Sequence, residues 1–317
     1  MKIKAVGLLS GGLDSTLAAK IILEQGIDVH AVNFTTPFCT CTPKNKGCSS
    51  IMTAIKQLGD IPLKRIALGD EYLDMIKSPN HGYGRGMNPC IDCRIMKIKK
   101  SVEYMKEIGA SFIFTGEVLG QRPMSQHRRA IELIDKKSVD EKIIVRPLSA
   151  KNLEPTIPEI RGWLDREKLL AITGRSRKEQ IALARDKNIV EYPCPAGGCL
   201  LTDRVFSDRL RDYFTYAKKI SCKDMPLLKL GRHFRLENGD KIIVARNEAE
   251  CNQLENLNRP DDMLFIAENF SGPSVLLQGN SREKALNKIF QYTNAEIPEN
   301  ALIRCVFHEK VEMISNN

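Results

Sequence analysis

The sequence predicts an α/β domain built on a parallel sheet, followed by a smaller α+β unit. Three observations carry that prediction. Strand-like and helix-like stretches alternate through the first two-thirds of the chain, a pattern that calls for a parallel sheet with helices on both faces. The first apolar run, Val6-Gly7-Leu8-Leu9, passes directly into Ser10-Gly11-Gly12-Leu13-Asp14-Ser15 and then into a helical pattern. Beyond residue 205 the pattern changes to one helix and then short strand-like pieces, which marks a second unit.

Residues 3–9 read as a buried strand and 16–25 as a helix with apolar residues at helical spacing. The run 28–34 is the next strand, entered through Gly26, and 50–58 is helical. A strand at 62–67 and a short helix at 72–76 follow. After the glycine-rich stretch 81–86, residues 91–107 form a basic amphipathic helix. Strands are expected at 111–115 and 143–147, and two charged helices within 158–185 close the first unit. Residues 192–199 hold two prolines and two glycines and cannot be helical. The second unit reads as a helix at 206–219, strands at 232–236, 241–245, 263–267 and 274–278, a helix at 281–291 and a strand near 302–307. Boundaries of 1–204 and 205–317 follow.

The chemistry begins at the first loop. Gly11 and Gly12 let the backbone turn tightly and aim successive N–H groups at an anion. Ser10 and Ser15 add hydroxyls, and the helix starting near Asp14 presents its positive end. The spacing is not that of a Walker A loop. In an open parallel sheet, ligands lie beyond the carboxyl ends of the strands. That edge receives the first loop, Asn33 and Phe34, and Thr115-Gly116-Glu117. Glu117 is a candidate for orienting Mg²⁺ or a nucleotide hydroxyl.

Ten cysteines in a chain that opens on a strand, with no signal peptide expected, point to the cytoplasm and to metal or sulfur chemistry. Cys90-Ile91-Asp92-Cys93 opens a helix, where the dipole favours thiolates. Such a pair alone is compatible with a redox couple, half a zinc site or part of an iron–sulfur site. Cys194 and Cys199 are the second source, and three of these four thiols can hold a [4Fe–4S] cluster with one iron open. A persulfide relay through the same cysteines, or inert thiols, remain alternatives. Cys39, Cys41 and Cys48 form a second group at the same edge, with zinc or an auxiliary sulfur role set against incidental loop cysteines. No apolar run is long enough to span a membrane. The net charge of +9 favours a polyanionic partner, and residues 204–235 are locally basic.

Two motifs in order, Ser10–Ser15 and Thr115-Gly116-Glu117-Val118-Leu119-Gly120-Gln121 with Ser125-Gln126, resemble the tRNA 4-thiouridine synthetases of the ATP pyrophosphatase (PP-loop) superfamily. The resemblance covers the chain to about residue 204. It implies an adenine-nucleotide alpha-hydrolase-like (PP-loop) fold and ATP-dependent tRNA sulfurtransferase activity that forms AMP and pyrophosphate. Ser10, Gly11, Gly12, Asp14, Ser15, Asn33, Phe34, Gly116 and Glu117 would bind ATP and Mg²⁺. Asp14, Cys194 and Cys199 would be catalytic, and Cys90, Cys93, Cys194 and Cys199 would supply metal ligands. The cysteine pattern is similar to the cluster-dependent thiolases, with sulfide or a sulfur-donor protein as the source. The usual amino-terminal RNA-binding extension and the rhodanese-like domain of some members have no counterpart here. Leu230–Phe234, Lys241–Glu248 and Ser271–Val275 resemble the RNA-binding domain of the NFACT proteins, which implies a tRNA partner. Related thiolases are often dimers, so a homodimer is admitted. Two alternatives stay open: a PP-loop enzyme activating a small-molecule carboxylate, and a zinc-containing RNA-binding protein without catalysis.

Overall fold

The computed structural model describes residues 2–39, 47–193 and 198–315, with 47–49 by backbone alone. The chain divides into a unit ending at Ser207 and a unit beginning at Asp208. In the first, β1 (Lys4–Leu8), β2 (Asp28–Thr35), β3 (Leu63–Ala67), β4 (Phe112–Thr115) and β5 (Ile144–Val145) form a sheet in the order β3-β2-β1-β4-β5. Every pairing in it is parallel. Burial on both faces explains why β1 and β4 read as unbroken apolar runs. Strand order reverses between β1 and β4, and the crevice at such a reversal is where open α/β sheets take their ligands.

Helices α1 (Leu13–Leu23), α2 (Gly47–Gln57), α3 (Asp70–Lys77), α4 (Cys90–Glu107), α5 (Arg128–Ser138), α6 (Ile157–Ile160) and α7 (Lys178–Asp186) belong to this unit. The core joins Leu17, Ile22, Ile98, Phe112, Phe114, Ile134 and Val145, all essentially inaccessible. The sequence reading missed α5 and expected two helices where only α7 is of ordinary length. The stretch after Thr156 starts well, with a Thr156/Glu159 capping box. It stops after one turn because the N–H groups of Trp163 and Leu164 both donate back to Pro158 O.

Helix α8 (Arg204–Tyr216) contains the division between the units. The second unit, described by itself, carries α9 (Met225–Leu228), β6 (Arg232–Arg235), β7 (Lys241–Val244), α10 (Glu248–Leu257), β8 (Met263–Ala267), β9 (Val275–Gln278), α11 (Arg282–Tyr292), β10 (Leu302–Phe307) and β11 (Lys310–Ser315). Its antiparallel sheet runs β11-β10-β8-β9-β7-β6. Helix α10 and strand β11 were not expected from the sequence.

In this unit His233 is a half-buried imidazole. Its Nε2 donates to Leu230 O at 2.8 Å, while Nδ1 has no partner. Burial, with Lys241 and Arg209 nearby, holds its pKa at about 3 against an ordinary 6.5. A depressed folded pKa contributes stability that is present above pH 6.5 and lost as pH falls toward 3. The expected loss is about 1.4 kcal/mol per pH unit. Hydrogen exchange of β6 and β7 amides in the full chain at pH 7 and pH 5 measures it. A His233→Gln chain should show a flatter pH profile, and an unchanged profile would exclude this role.

Candidate functional site

The loop after β1 is shaped by its own hydroxyls. Ser15 Oγ and Thr16 Oγ1 both donate to Gly12 O, at 2.9 and 3.0 Å. Gly12 N donates to Ser10 Oγ, and Ser10 N to Ser15 Oγ, each at 3.3 Å. Gly11 has φ +78°, and a Cβ there would meet Ile51 N at 2.6 Å, so only glycine fits this turn against α2. Helix α1 starts with no side-chain cap, which leaves its first N–H groups available to an anion.

Asp14 has two partners that the sequence reading did not name. Gln121 Nε2 donates to Asp14 Oδ2 at 3.2 Å, and Arg177 Nη2 lies 3.6 Å from Oδ1 as an ion pair. Arg177 Nε and Asp14 Oδ1 are both buried and lack hydrogen bonds. Arg177 arrives through the Leu119–Thr173 bridge and the Gly174 N to Leu119 O bond, which tie the segment before α7 to the β4 exit. No local motif announces such a contact.

The other predicted nucleotide residues are placed as follows. Asn33 is buried and its Nδ2 donates to Leu9 O at 2.8 Å, so its amide fixes the end of β1. Phe34 is half-buried and packs against the core. Gly116 lies against the start of α1, where an added Cβ would stand 2.5 Å from Ser15 N and Cα. Glu117 is 2 % exposed, and one of its two oxygens lacks a hydrogen bond. Arg146 Nε donates to its Oε2 at 3.0 Å, Thr115 Oγ1 donates to the same oxygen at 3.1 Å, and Arg94 Nε lies 2.9 Å from Oε1 as an ion pair without an in-line N–H. Burial alone would raise its pKa, but Arg94, Arg146 and the Arg146 and Thr115 hydrogen bonds outweigh burial and hold it below the ordinary carboxylate value. Arg146 also donates two bonds to Asp135, at 2.7 and 2.8 Å. Beside the expectation that Glu117 orients Mg²⁺ or a nucleotide hydroxyl, the structure sets this pairing: Oε2 is held by Arg146 and Thr115, and Oε1 faces Arg94, the residue after Cys93.

The thiols gather near the same edge. Cys90 opens α4 and accepts from Asn88 Nδ2 at 3.1 Å; Cys93 accepts from Tyr72 OH at 3.2 Å. Asp92, between them, is taken up by His81, whose backbone N–H and Nδ1 lie 3.0 and 2.9 Å from its oxygens. Cys39 and Cys199 face each other in an antiparallel bridge. Burial, then the Cys93, Cys199 and Cys39 thiols, push the Tyr72 phenol far above its ordinary value. Burial first, with the Cys93 and Cys90 thiols adding to it, pushes Cys199 up to about 11. Gln57 pins the chain ahead of this loop: its Oε1 accepts from Val190 and Glu191 N–H at 3.0 and 3.1 Å, and its Nε2 donates to Glu191 O at 2.7 Å. Cys194, Cys41 and the Cys48 side chain lie outside the described residues. Among the described residues no three His, Cys, Asp or Glu side chains are arranged to hold a metal ion. Cys39, Cys90, Cys93 and Cys199 nevertheless supply thiols, the ligand chemistry of a soft metal or an iron–sulfur cluster.

In the second unit the basic stretch is partly consumed internally. Arg209 donates to Leu228, Leu230 and Gly231 carbonyls, and Arg235 forms a two-bond pair with Asp212. Arg232 is exposed, with its guanidinium 4.9 Å from the Tyr292 ring centroid, and Lys288 sits 4.2 Å from the Phe234 ring centroid.

A parallel sheet with a hydroxyl-rich loop at its order reversal is the architecture of a PP-loop-type α/β domain. Residues 1–158 match the family model described as thiamine biosynthesis protein (ThiI), and residues 231–310 match that of the NFACT protein RNA binding domain. The chain thus comprises a ThiI-like PP-loop domain followed by an NFACT-like carboxy-terminal domain. The tRNA-specific 2-thiouridylase MnmA of Pseudomonas fluorescens (strain Pf0-1) is 25 % identical over 239 residues, which are 72 % of this chain and 60 % of that protein. MnmA of Listeria monocytogenes serotype 4a (strain HCC23) is 25 % identical over 220 residues, 67 % of this chain and 56 % of its own. The chain therefore spans under two-thirds of the length of these relatives. Among solved structures, a 4-thiouridine synthetase–RNA complex with bound ATP aligns at 19 % identity and TM-score 0.42, over 71 % of this chain and 52 % of that one. The U34-tRNA thiolase NcsA from Methanococcus maripaludis, with its [4Fe–4S] cluster, aligns at 19 % identity and TM-score 0.35, over 74 % and 75 %. No helix among the described residues is long and apolar enough to cross a membrane.

Proposed function

We propose that this chain is an ATP-dependent tRNA sulfurtransferase that replaces a uridine carbonyl oxygen with sulfur. The observation that carries the reading is the physical link from the anion loop to the thiols. Gly116 packs on Ser15, Glu117 follows it, and Glu117 grips Arg94, the residue after Cys93. Residues 1–204 would perform the chemistry and 205–317 would hold RNA.

Ser10, Gly11, Gly12, Asp14 and Ser15 would cradle the pyrophosphate of ATP, with the open start of α1 facing its charge. Mg²⁺ would supply neutralisation of the phosphate oxygens. Asp14 would orient Arg177 toward the phosphates, where a guanidinium suits an anion with several oxygens. Phe34 would border the adenosine, with Asn33 acting through Leu9. The uridine oxygen attacks the α-phosphorus, the bond to the β-phosphate breaks and pyrophosphate leaves. A hydrosulfide then adds at the activated carbon, and AMP departs with the former carbonyl oxygen. A [4Fe–4S] cluster on Cys90, Cys93 and either Cys194 or Cys199 would supply bound sulfide for this step. Glu117 holds Arg94, and with it the start of α4, at a fixed distance from the loop. Exposed Arg232 and the nearby Lys288 would meet RNA phosphates. The reading includes a cytoplasmic homodimer supplied by free sulfide or a sulfur-donor protein.

Incubation of the reduced chain with tRNA, ATP, Mg²⁺ and sulfide, followed by nucleoside mass spectrometry, tests it. One thiouridine per AMP is expected, and Asp14→Asn should lower the rate about 100-fold. Asp14-dependent ATP consumption with no thiouridine would overturn the tRNA reading in favour of a small-molecule substrate.

A further inference from the structure

The bridge between Cys39 and Cys199 has a specific register. Leu200 N–H donates to Phe38 O at 3.0 Å, so the hydrogen bond flanks the cysteine pair rather than joining it. Directly opposed residues of that kind form a non-hydrogen-bonded pair, with Cα atoms about 4.5 Å apart and side chains at their closest. A disulfide needs Cα atoms about 4.4–6.8 Å apart. Both cysteines are free thiols and neither is exposed to bulk solvent on every side.

The surroundings keep the pair in register. Phe38, fully buried, packs its ring against Tyr72 and Phe206 with centroids 6.1 and 5.8 Å away. On the opposite strand, Thr202 Oγ1 donates to Cys199 O at 2.7 Å and Met87 N donates to Leu201 O at 2.8 Å. These contacts hold both backbones at the bridge. Thr36 Oγ1 is 3.5 Å from Cys39 Sγ.

From this geometry we infer that Cys39 and Cys199 are a site of reversible disulfide formation in the metal-free chain, with a hydroperoxide as the oxidant. One thiolate attacks a peroxide oxygen, forming a sulfenic acid and releasing water. The second thiol displaces the sulfenic oxygen as another water, and the S–S bond forms. Two thiols lose two electrons and two protons, and one hydrogen peroxide becomes two waters. A dithiol reductant returns both. Such disulfides in reducing compartments are transient and redox-sensing rather than structural. The consequence is exclusion: a Cys199 sulfur bound to Cys39 is withdrawn from the thiols that meet near Tyr72. The inference concerns the thiols alone and does not depend on which substrate the PP-loop domain serves.

The test treats the chelator-stripped full chain with equimolar hydrogen peroxide, alkylates the remaining thiols and maps non-reduced tryptic peptides by mass spectrometry. Cys39 shares a tryptic peptide with Cys41, and Cys199 with Cys194, so variants assign the link. The two peptides should appear joined in the unaltered chain and in Cys41→Ser/Cys194→Ser, and separate after dithiothreitol. Cys39→Ser should abolish the link and leave Cys199 open to alkylation after reduction of any sulfenic acid. A link that persists in Cys39→Ser, one lost in Cys41→Ser/Cys194→Ser, or no link at all overturns the inference. Thiouridine formation plays no part in the readout, so failure here and failure of the sulfurtransferase reading are separate results.

Discussion

Glu117→Ala is expected to destabilise the amino-terminal unit by about 3–5 kcal/mol, the cost of breaking a buried ion pair from one side. The carboxylate stands between Arg94 and Arg146, and Arg146 is as buried as Glu117 itself. Without it Arg146 retains Asp135, while among the described residues no other carboxylate pairs with Arg94. Burying a charge with half its compensation is far worse than burying none. Glu117→Gln keeps the shape and one acceptor oxygen, so a smaller loss is expected. Urea unfolding followed through the single tryptophan, Trp163, which packs on this core, reads the difference. A loss under about 1 kcal/mol would show that water or side-chain movement compensates Arg94. The pH sign is set by the lowered carboxyl pKa. Stability from Glu117 is fully present above its ordinary 4.5 and disappears as pH falls through the lower folded value.

Gly116→Ala should reduce ATP-dependent turnover about 100-fold or more, the usual penalty for moving a catalytic edge by roughly an ångström. The new methyl would stand 2.5 Å from Ser15 N and Cα. Those are backbone atoms at the start of α1, and they cannot rotate away as a side chain would. The β4 exit must retreat from the anion loop, carrying Glu117 and Gln121 with it. Gln121 would then lose Asp14. Gly12→Ala provides the contrast, because its methyl would meet only Ser10 Oγ at 3.4 Å, ordinary contact, and the fold should tolerate it. Thermal unfolding compares the two folds, and AMP release under saturating ATP measures the loss in Gly116→Ala. Normal turnover in Gly116→Ala would exclude close packing of Gly116 on Ser15 as a requirement for activity.

The sheet was legible because its strands are buried on both faces and written as apolar runs. The loop at Ser10–Ser15 was legible because its geometry is local. Helix α5 was not: only Ala130, Ile131 and Ile134 are buried along it, too thin a stripe among charged residues to register. Helix α10 was missed for the same reason, since only Glu250 and Leu254 are buried in it. The arginines around Glu117 were not legible, for tertiary reasons. Its partners are 23 residues before it and 29 after it, and pattern reading sees a conspicuous carboxylate without the arginines that claim it. Arg177 was invisible for the converse reason, being an unremarkable basic residue until the Leu119–Thr173 bridge delivers it to Asp14. The cysteines were legible as a group, and Cys39 joined Cys199 only through strand register.

The Gln57 latch changes what chain length means in this region. One amide holds Val190 and Glu191 on one side of the 192–198 stretch, and the Phe38–Leu200 bond fixes the other. Both posts are anchored to the core, so the ends of that stretch are held at a set span. Doubling its length would cost only about 0.6 kcal/mol in closure entropy. Insertions and deletions among relatives should therefore accumulate between the posts, while Gln57 and the bridge keep the ends at a constant span. Sulfur chemistry in this fold could then diversify by exchanging one short segment, with the nucleotide edge left untouched.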